Sequence, residues 1–171
     1  MTLHSDVTIR SAQPEDCEAI FSLIQALAEY EKLTYAVTGD ALALKEHLFG
    51  MHKFAETILA ECDGKAVGYA LFLYNYSTFL TKPGIYLEDL FVLPEYRRQG
   101  IGKSLISKLA QIALERNYGR LEWSVLDWNE PAIQFYRRIG AEILGEWRIC
   151  RVTGAAINHL ATLSNEGTST C

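Results

Sequence analysis

Apolar residues recur along this chain with two periods, and the places where one period gives way to the other divide it into elements. Val7–Arg10 reads as a short strand, after which Pro14 opens a helix whose apolar face is Cys17, Ile20, Phe21, Ile24, Leu27 and Ala28. The spacing is that of a 3.6-residue turn, and proline is tolerated in a first helical turn. A second helix begins near Asp40, carries Leu44 and Leu48, and stops at Gly50. Thr57–Glu61 and Ala66–Tyr76 read as strands joined at Asp63-Gly64, a dipeptide suited to a tight hairpin turn. Tyr86–Leu93 is the next strand, and Ile101, Leu105, Leu109 and Ile112 then return to helical spacing in a helix closed by Gly119. Leu121–Leu126 reads as a strand, Asn129 as the cap of a short helix running to Gly140, and Ala141–Leu144 and Glu146–Val152 as closing strands. The order is therefore β-α-α-β-β-β-α-β-α-β-β, with no internal repeat and no low-complexity linker.

Composition narrows this to one domain. A chain of 171 residues with 49% apolar content can bury a substantial core, so residues 1–163 are expected to form a single domain and the polar 164–171 a frayed tail. No apolar segment resembles a signal peptide, and no run approaches the roughly 18 residues that span a bilayer. A cytoplasmic protein without a membrane partner is expected. Cys17, Cys62, Cys150 and Cys171 are too widely spaced for a zinc site or a CxxC motif, so reduced, structural cysteines and no metal are expected. A net charge of -5 argues against nucleic acid and suits a small cationic partner.

The junction between the Tyr86–Leu93 strand and the following helix carries the chemistry. It reads Arg97-Arg98-Gln99-Gly100-Ile101-Gly102. The first amides of a helix lack intrahelical acceptors, and the macrodipole adds partial positive charge there. Gly100 and Gly102 leave room for close approach to the backbone, and Arg97 and Arg98 add full charges, so the turn reads as an anion site, the alternative being a glycine-containing turn with two solvated arginines. It is neither a Walker loop, since no G-K-[ST] follows, nor a G-x-G-x-x-G dinucleotide fingerprint.

The element order with R-x-x-G-x-G at this junction resembles the GNAT superfamily of acetyl-coenzyme A dependent N-acetyltransferases, from Val7 to about Val152. Ala28-Glu29-Tyr30-Glu31-Lys32-Leu33, Tyr86-Leu87-Glu88-Asp89, Pro94-Glu95-Tyr96-Arg97, Val125 to Pro131 and Phe135-Tyr136 are similar to the diamine and thialysine acetyltransferase branch. The resemblance implies an α/β (α+β) fold with a mixed central sheet of about six to seven strands flanked by helices. It assigns Arg97, Arg98, Gln99, Gly100, Ile101, Gly102 and Lys103 to the coenzyme A pyrophosphate and the backbone of Leu90, Phe91 and Val92 to the pantetheine arm. That arm carries amides that pair like a strand, and an amide of the protein strand can polarise the thioester carbonyl. Asn129, Glu130, Pro131 and Ala132 are implied as a further cofactor contact, while Asn129 as a cap is also worth about 1 kcal/mol to its helix.

Two residues are implied as catalytic. Tyr136 lies seven residues past Asn129, about two turns into the helix and on a face with Ala132, where the family uses a tyrosine to protonate the departing thiolate. An acceptor ammonium has a pKa of about 10.4 and must lose a proton before attack. The family places a glutamate near it, and Glu88 occupies that position, either accepting the proton directly or through a water. By strand alternation Glu88 shares a side with Leu90, and Asp89 points to the opposite face. Tyr30 and Glu31, and Glu122, Trp123 and Ser124, match positions lining the acceptor site. The expected acceptor is a small cationic primary amine, a thialysine or lysine analogue or a di- or polyamine; Tyr76-Ser77-Thr78-Phe79 lacks the Asp-Pro-Trp pattern of the polyamine enzyme, which tilts the choice modestly toward thialysine, lysine analogues or short amines. The resemblance also implies a homodimer. A non-catalytic acetyl-coenzyme A sensor and a protein lysine acetyltransferase are the alternative functions.

Overall fold

In the computed structural model, which describes residues 7–163, five strands form one sheet in chain order. They are β1 (Val7–Ser11), β2 (Glu56–Cys62), β3 (Lys65–Ser77), β4 (Lys82–Val92) and β5 (Leu121–Trp123). The first three pairings are antiparallel and the last, β4 with β5, is parallel, so the sheet is mixed. Cys62 pairs with Lys65 across a two-residue loop in which Asp63 (φ +50°) and Gly64 (φ +77°) are both left-handed, the geometry that matches the strands' twist.

Helices α1 (Cys17–Tyr30), α2 (Ala41–Phe49) and α3 (Ile101–Glu115) belong with this sheet in one compact unit, Met1–Asn129. The entry to α1 is a single 3-10 turn, Pro14–Asp16, where Asp16 accepts 2.7 and 2.9 Å bonds from Arg10 and a bond from the Gln13 amide. At α2, Asp40 caps the first turn by accepting from the Ala43 amide at 2.8 Å. Ile20 and Leu23 of α1 and Leu48 of α2 pack on Leu59, Tyr69 and Phe91, one from each of three adjacent strands. The alternating buried residues Ile58, Ala70 and Phe72 point to the other face, and α3 contributes Ile101, Leu105, Ile106, Leu109 and Ile112 to the core while touching all five strands.

The second unit, Glu130–Cys171, contains α4 (Glu130–Arg138) and α5 (Ala155–Thr162). Helix α4 ends at Gly140 (φ +91°), with the Ala141 amide reaching back to the Tyr136 carbonyl at 3.0 Å, a left-handed glycine termination. Three strand expectations are corrected. Ala141–Leu144 and Glu146–Val152 form no strand, and β5 stops at Trp123 rather than Leu126, so the sheet has five strands instead of about six to seven. The apolar residues that suggested strands are present, but Trp147 and Ile149 are 75% and 70% exposed, because an apolar pattern specifies a face to be covered and not the element that covers it. Helix α5 was not anticipated. Cys17, Cys62 and Cys150 are free thiols, whereas Cys171 and the tail 164–171 lie outside the described residues. Among the described residues no helix is long and apolar enough to cross a membrane, and no group of three acidic, histidine or cysteine side chains could hold a metal.

Candidate active site

Strand β4 leads through a 3-10 turn, Pro94–Tyr96, into Arg97–Gly100 and then α3. Arg98 (φ +62°) and Gly100 (φ +85°) are both left-handed. The first helical bond at this end runs from the Ser104 amide to the Gly100 carbonyl at 2.9 Å, so the amides of Ile101, Gly102 and Lys103 have no acceptor within the helix. A Cβ built on Gly100 meets nothing within 4 Å. Packing therefore does not demand glycine here; the backbone conformation does. An open, exposed helix N-terminus flanked by Arg98 and Lys103 fits a pyrophosphate. Arg97 is engaged differently. Its Nε donates to the Val92 carbonyl at 2.8 Å, and its guanidinium lies 4.5 Å from the Tyr30 ring and 5.3 Å from that of Phe91. It braces the exit of β4 against the end of α1.

Strand β4 is paired with β3 along its length, but with β5 only from Ile85 to Leu87. Beyond Leu87 the β5 side of β4 is an edge running through Leu90, Phe91 and Val92. A row of backbone groups that no described strand pairs, its Val92 carbonyl taken by Arg97, fits an extended, amide-bearing arm such as pantetheine.

Where the β5 pairing ends, β4 also carries an extra residue. Leu87 pairs with Phe72 and Asp89 with Leu71, which makes Glu88 the inserted residue of a β-bulge. This corrects the alternation argument. Cross-strand partners share a face, so Asp89 lies with Leu71, Tyr69 and Phe91 on the side covered by α1, while Leu90, opposite Ala70, lies on the other. The bulge breaks the regular pleat between Glu88 and Leu90, so their two-residue spacing does not place them on one side. Asp89 is half-buried and accepts a 2.9 Å bond from the Tyr69 hydroxyl. Burial raises its pKa above the usual value; the Tyr69 bond opposes that rise and the Glu88 charge adds to it. Glu31, at the end of α1, is also raised, by burial and by the Asp89 charge. The Tyr69 phenol is pushed up strongly, first by burial and then by Asp89, Glu31 and Glu88, so it stays protonated. Glu31, Glu88 and Asp89 thus form one acidic group beside the open edge of β4. The sequence marked the first two; its only sign of the third was a pair of adjacent carboxylates in an otherwise apolar strand.

The remaining candidates divide. Tyr30 donates to Asn129 Oδ1 at 3.2 Å and its ring sits 6.2 Å from that of Trp128, so it joins the end of α1 to the loop that precedes α4. Asn129 is buried and directly precedes Glu130, the first residue of α4, as expected of a cap position. Glu122 Oε2 takes a 2.6 Å bond from Asn75 and lies 2.8 Å from Arg120 Nε. Ser124 bonds the Tyr86 hydroxyl at 2.8 Å, and Trp123 ends β5. In the second unit, Glu130 and Pro131 form the first turn of α4, Ala132 and Tyr136 share a face four residues apart, and Tyr136 is buried with its ring 5.3 Å from Phe135.

A family model described as the acetyltransferase (GNAT) family matches residues 18–141. The chain is 42% identical over 166 residues to the thialysine N-epsilon-acetyltransferase of Bos taurus, covering 91% of this chain and 97% of that protein. It is 33% identical to an L-ornithine N5-acetyltransferase of Arabidopsis thaliana, covering 91% of this chain and 88% of that one. Among solved structures, an integron cassette protein from the mobile metagenome of V. cholerae superposes with a TM-score of 0.77 at 28% identity, over 91% of this chain and 97% of the other. The match in sequence, the mixed sheet and the glycine turn at the head of α3 agree: the chain belongs to the GNAT acetyltransferase family, whose acetyl donor is acetyl-coenzyme A.

Proposed function

We propose that this protein acetylates the primary amine of a small cationic acceptor of the thialysine, lysine-analogue or ornithine type, by direct transfer in a ternary complex. The observation that carries the reading is the acidic group beside the strand edge suited to pantetheine, in which the β4 bulge turns Asp89 to the side covered by α1, whose end carries Glu31, and leaves Glu88 exposed. Three carboxylates suit an ammonium and repel an anionic acceptor. Bound acetyl-coenzyme A supplies the activated acetyl group. The turn from Arg98 to Lys103 holds its pyrophosphate, assisted by Asn129 to Ala132, and an amide of β4 near Leu90 polarises the carbonyl. Glu88, exposed at the bulge, takes the ammonium proton directly or through a water. The amine nitrogen then bonds to the acetyl carbon and sheds its second proton to solvent, the carbon–sulfur bond breaks, and Tyr136 gives its phenolic proton to the departing sulfur before regaining one from solvent. Residues 1–163 act as one catalytic domain, a reading supported by a family match over residues 18–141, which continues past the first compact unit into the start of the second.

We also infer a homodimer, supported by the exposed apolar run Trp147, Ile149, Val152, Ile157 and Leu160 in the second unit. The free thiols of Cys17, Cys62 and Cys150 suit a reducing, cytoplasmic setting. The test of the function is release of free thiol from acetyl-coenzyme A with thialysine, lysine, ornithine, spermidine and spermine in turn. Turnover is expected to be fastest with the short amino-acid-like amines. Tight acetyl-coenzyme A binding with no thiol release on any amine would instead favour a sensor.

A further inference from the structure

We propose that Tyr69 is a positioning residue for the acceptor: its hydroxyl fixes the Asp89 carboxylate so that the remaining oxygen is presented to the acceptor's ammonium. The inference rests on the acetyl-transfer reading above and adds to it a residue that never touches substrate. Tyr69 lies in the middle of β3, fully buried, and its neighbours Leu59 and Phe91 in the core fix the ring. Its hydroxyl donates to Asp89 Oδ2 at 2.9 Å. Among the described residues no group bonds to Oδ1 of the same carboxylate. The bulge makes the contact possible, because with Glu88 paired in a regular ladder the alternation would carry Asp89 to the opposite face.

The charged and titratable groups acting on Asp89 are Tyr69 from β3, Glu88 from β4 and, from the end of α1, Glu31; none of them is a cation. Two like charges and partial burial work against ionisation, and the phenol is the one group among them that favours it. A charge-assisted bond from a donor that does not titrate in the working range keeps the carboxylate ionised and aimed. The arriving ammonium supplies the missing counter-charge, so the acidic group is complete only with the acceptor bound.

Tyr69→Phe removes the hydroxyl and keeps the ring. Steady-state kinetics with thialysine and with ornithine, from pH 6 to pH 9, are expected to show an acceptor KM raised roughly tenfold at the acid end, with the variant-to-wild-type ratio shrinking as pH rises. The acetyl-coenzyme A KM is expected to stay unchanged. Asp89→Asn, which keeps the hydrogen-bond partner and loses the charge, is expected to raise the acceptor KM by a factor that does not vary with pH. Adding Tyr69→Phe to Asp89→Asn should then cost little more. The proposal is overturned if Tyr69→Phe leaves the acceptor KM unmoved, or raises it by the same factor at every pH, or weakens acetyl-coenzyme A equally, since each of these marks a packing role. Should Tyr69→Phe not fold, an unchanged acceptor KM in Asp89→Asn overturns it as well. Wild-type turnover with unmoved variants removes Tyr69 alone; absence of wild-type turnover removes the function and this inference together.

Discussion

Gly100 and Gly64 provide a matched pair for testing the anion site. Both are left-handed, at φ +85° and +77°, and a Cβ built on either meets nothing within 4 Å. Replacing either by alanine therefore changes backbone energy without a clash. The left-handed conformation costs an L-residue about 1–2 kcal/mol, and the stiffer unfolded chain returns about 0.4–1 kcal/mol of that. The net loss is about 1 kcal/mol, which for a chain of this size lowers Tm by about 2–4 °C. Stability alone should not distinguish the two variants. Ligand binding should: Gly64 lies in the hairpin between β2 and β3, whereas Gly100 heads α3, where a methyl group intrudes on the approach to the amides of Ile101 and Gly102. Loss of one hydrogen bond to a charged phosphate is worth about 1.5–3 kcal/mol, or roughly a 10- to 100-fold rise in Kd. Calorimetric titration with coenzyme A, beside thermal melts, measures both quantities. Equal coenzyme A affinity in Gly100→Ala and Gly64→Ala, with equal melts, would refute the assignment of the turn to the pyrophosphate.

Three further outcomes are expected. Tyr136→Phe should lower kcat by roughly 10²- to 10⁴-fold with little change in acetyl-coenzyme A affinity, and single-turnover thiol release checks it; undiminished turnover removes the phenol from the reaction. Asp16 is held below its usual value of 3.8, first by the bond from Arg10, so its contribution to stability is present above about pH 4 and disappears as pH falls through its lower folded value. Asp16→Asn should accordingly cost about 1 kcal/mol at pH 7, with the difference from wild type narrowing in melts as pH falls below the ordinary value of 3.8; a pH-independent difference would place the loss in packing. Trp147→Asp should convert a dimer to a monomer in light scattering at several concentrations without unfolding either unit, and a wild type that is monomeric throughout would dispose of the dimer.

What could be read from the sequence depended on whether an element carries its own reason to form. The α3 turn does: glycines, arginines and four residues at helical spacing specify a helix start with open amides, and Gly100 takes the left-handed conformation that makes it one. Asp63-Gly64 does too, since a two-residue turn dictates its own dihedrals. Ala141–Leu144 and Glu146–Val152 do not, because a strand exists only with a ladder partner and apolar spacing cannot supply one. The β4 bulge is the case that matters for function. Alternation assigns every residue of a strand to a face once one is known, and a single insertion reverses the assignment beyond it. From Leu87 onward the simple count would have sent Asp89 to the face opposite Tyr69; the register shift between Leu71 and Phe72 instead brings the two together at 2.9 Å. Nothing local in Tyr86-Leu87-Glu88-Asp89 announces that shift. It is fixed by pairing with β3 on one side and by the loss of β5 after Leu87 on the other, so the same point that opens the edge for pantetheine also gathers the carboxylates. Donor and acceptor sites therefore meet at one point of β4: the β5 pairing ends at Leu87, and Asp89 keeps its place opposite Leu71 because Glu88 is left out of the ladder.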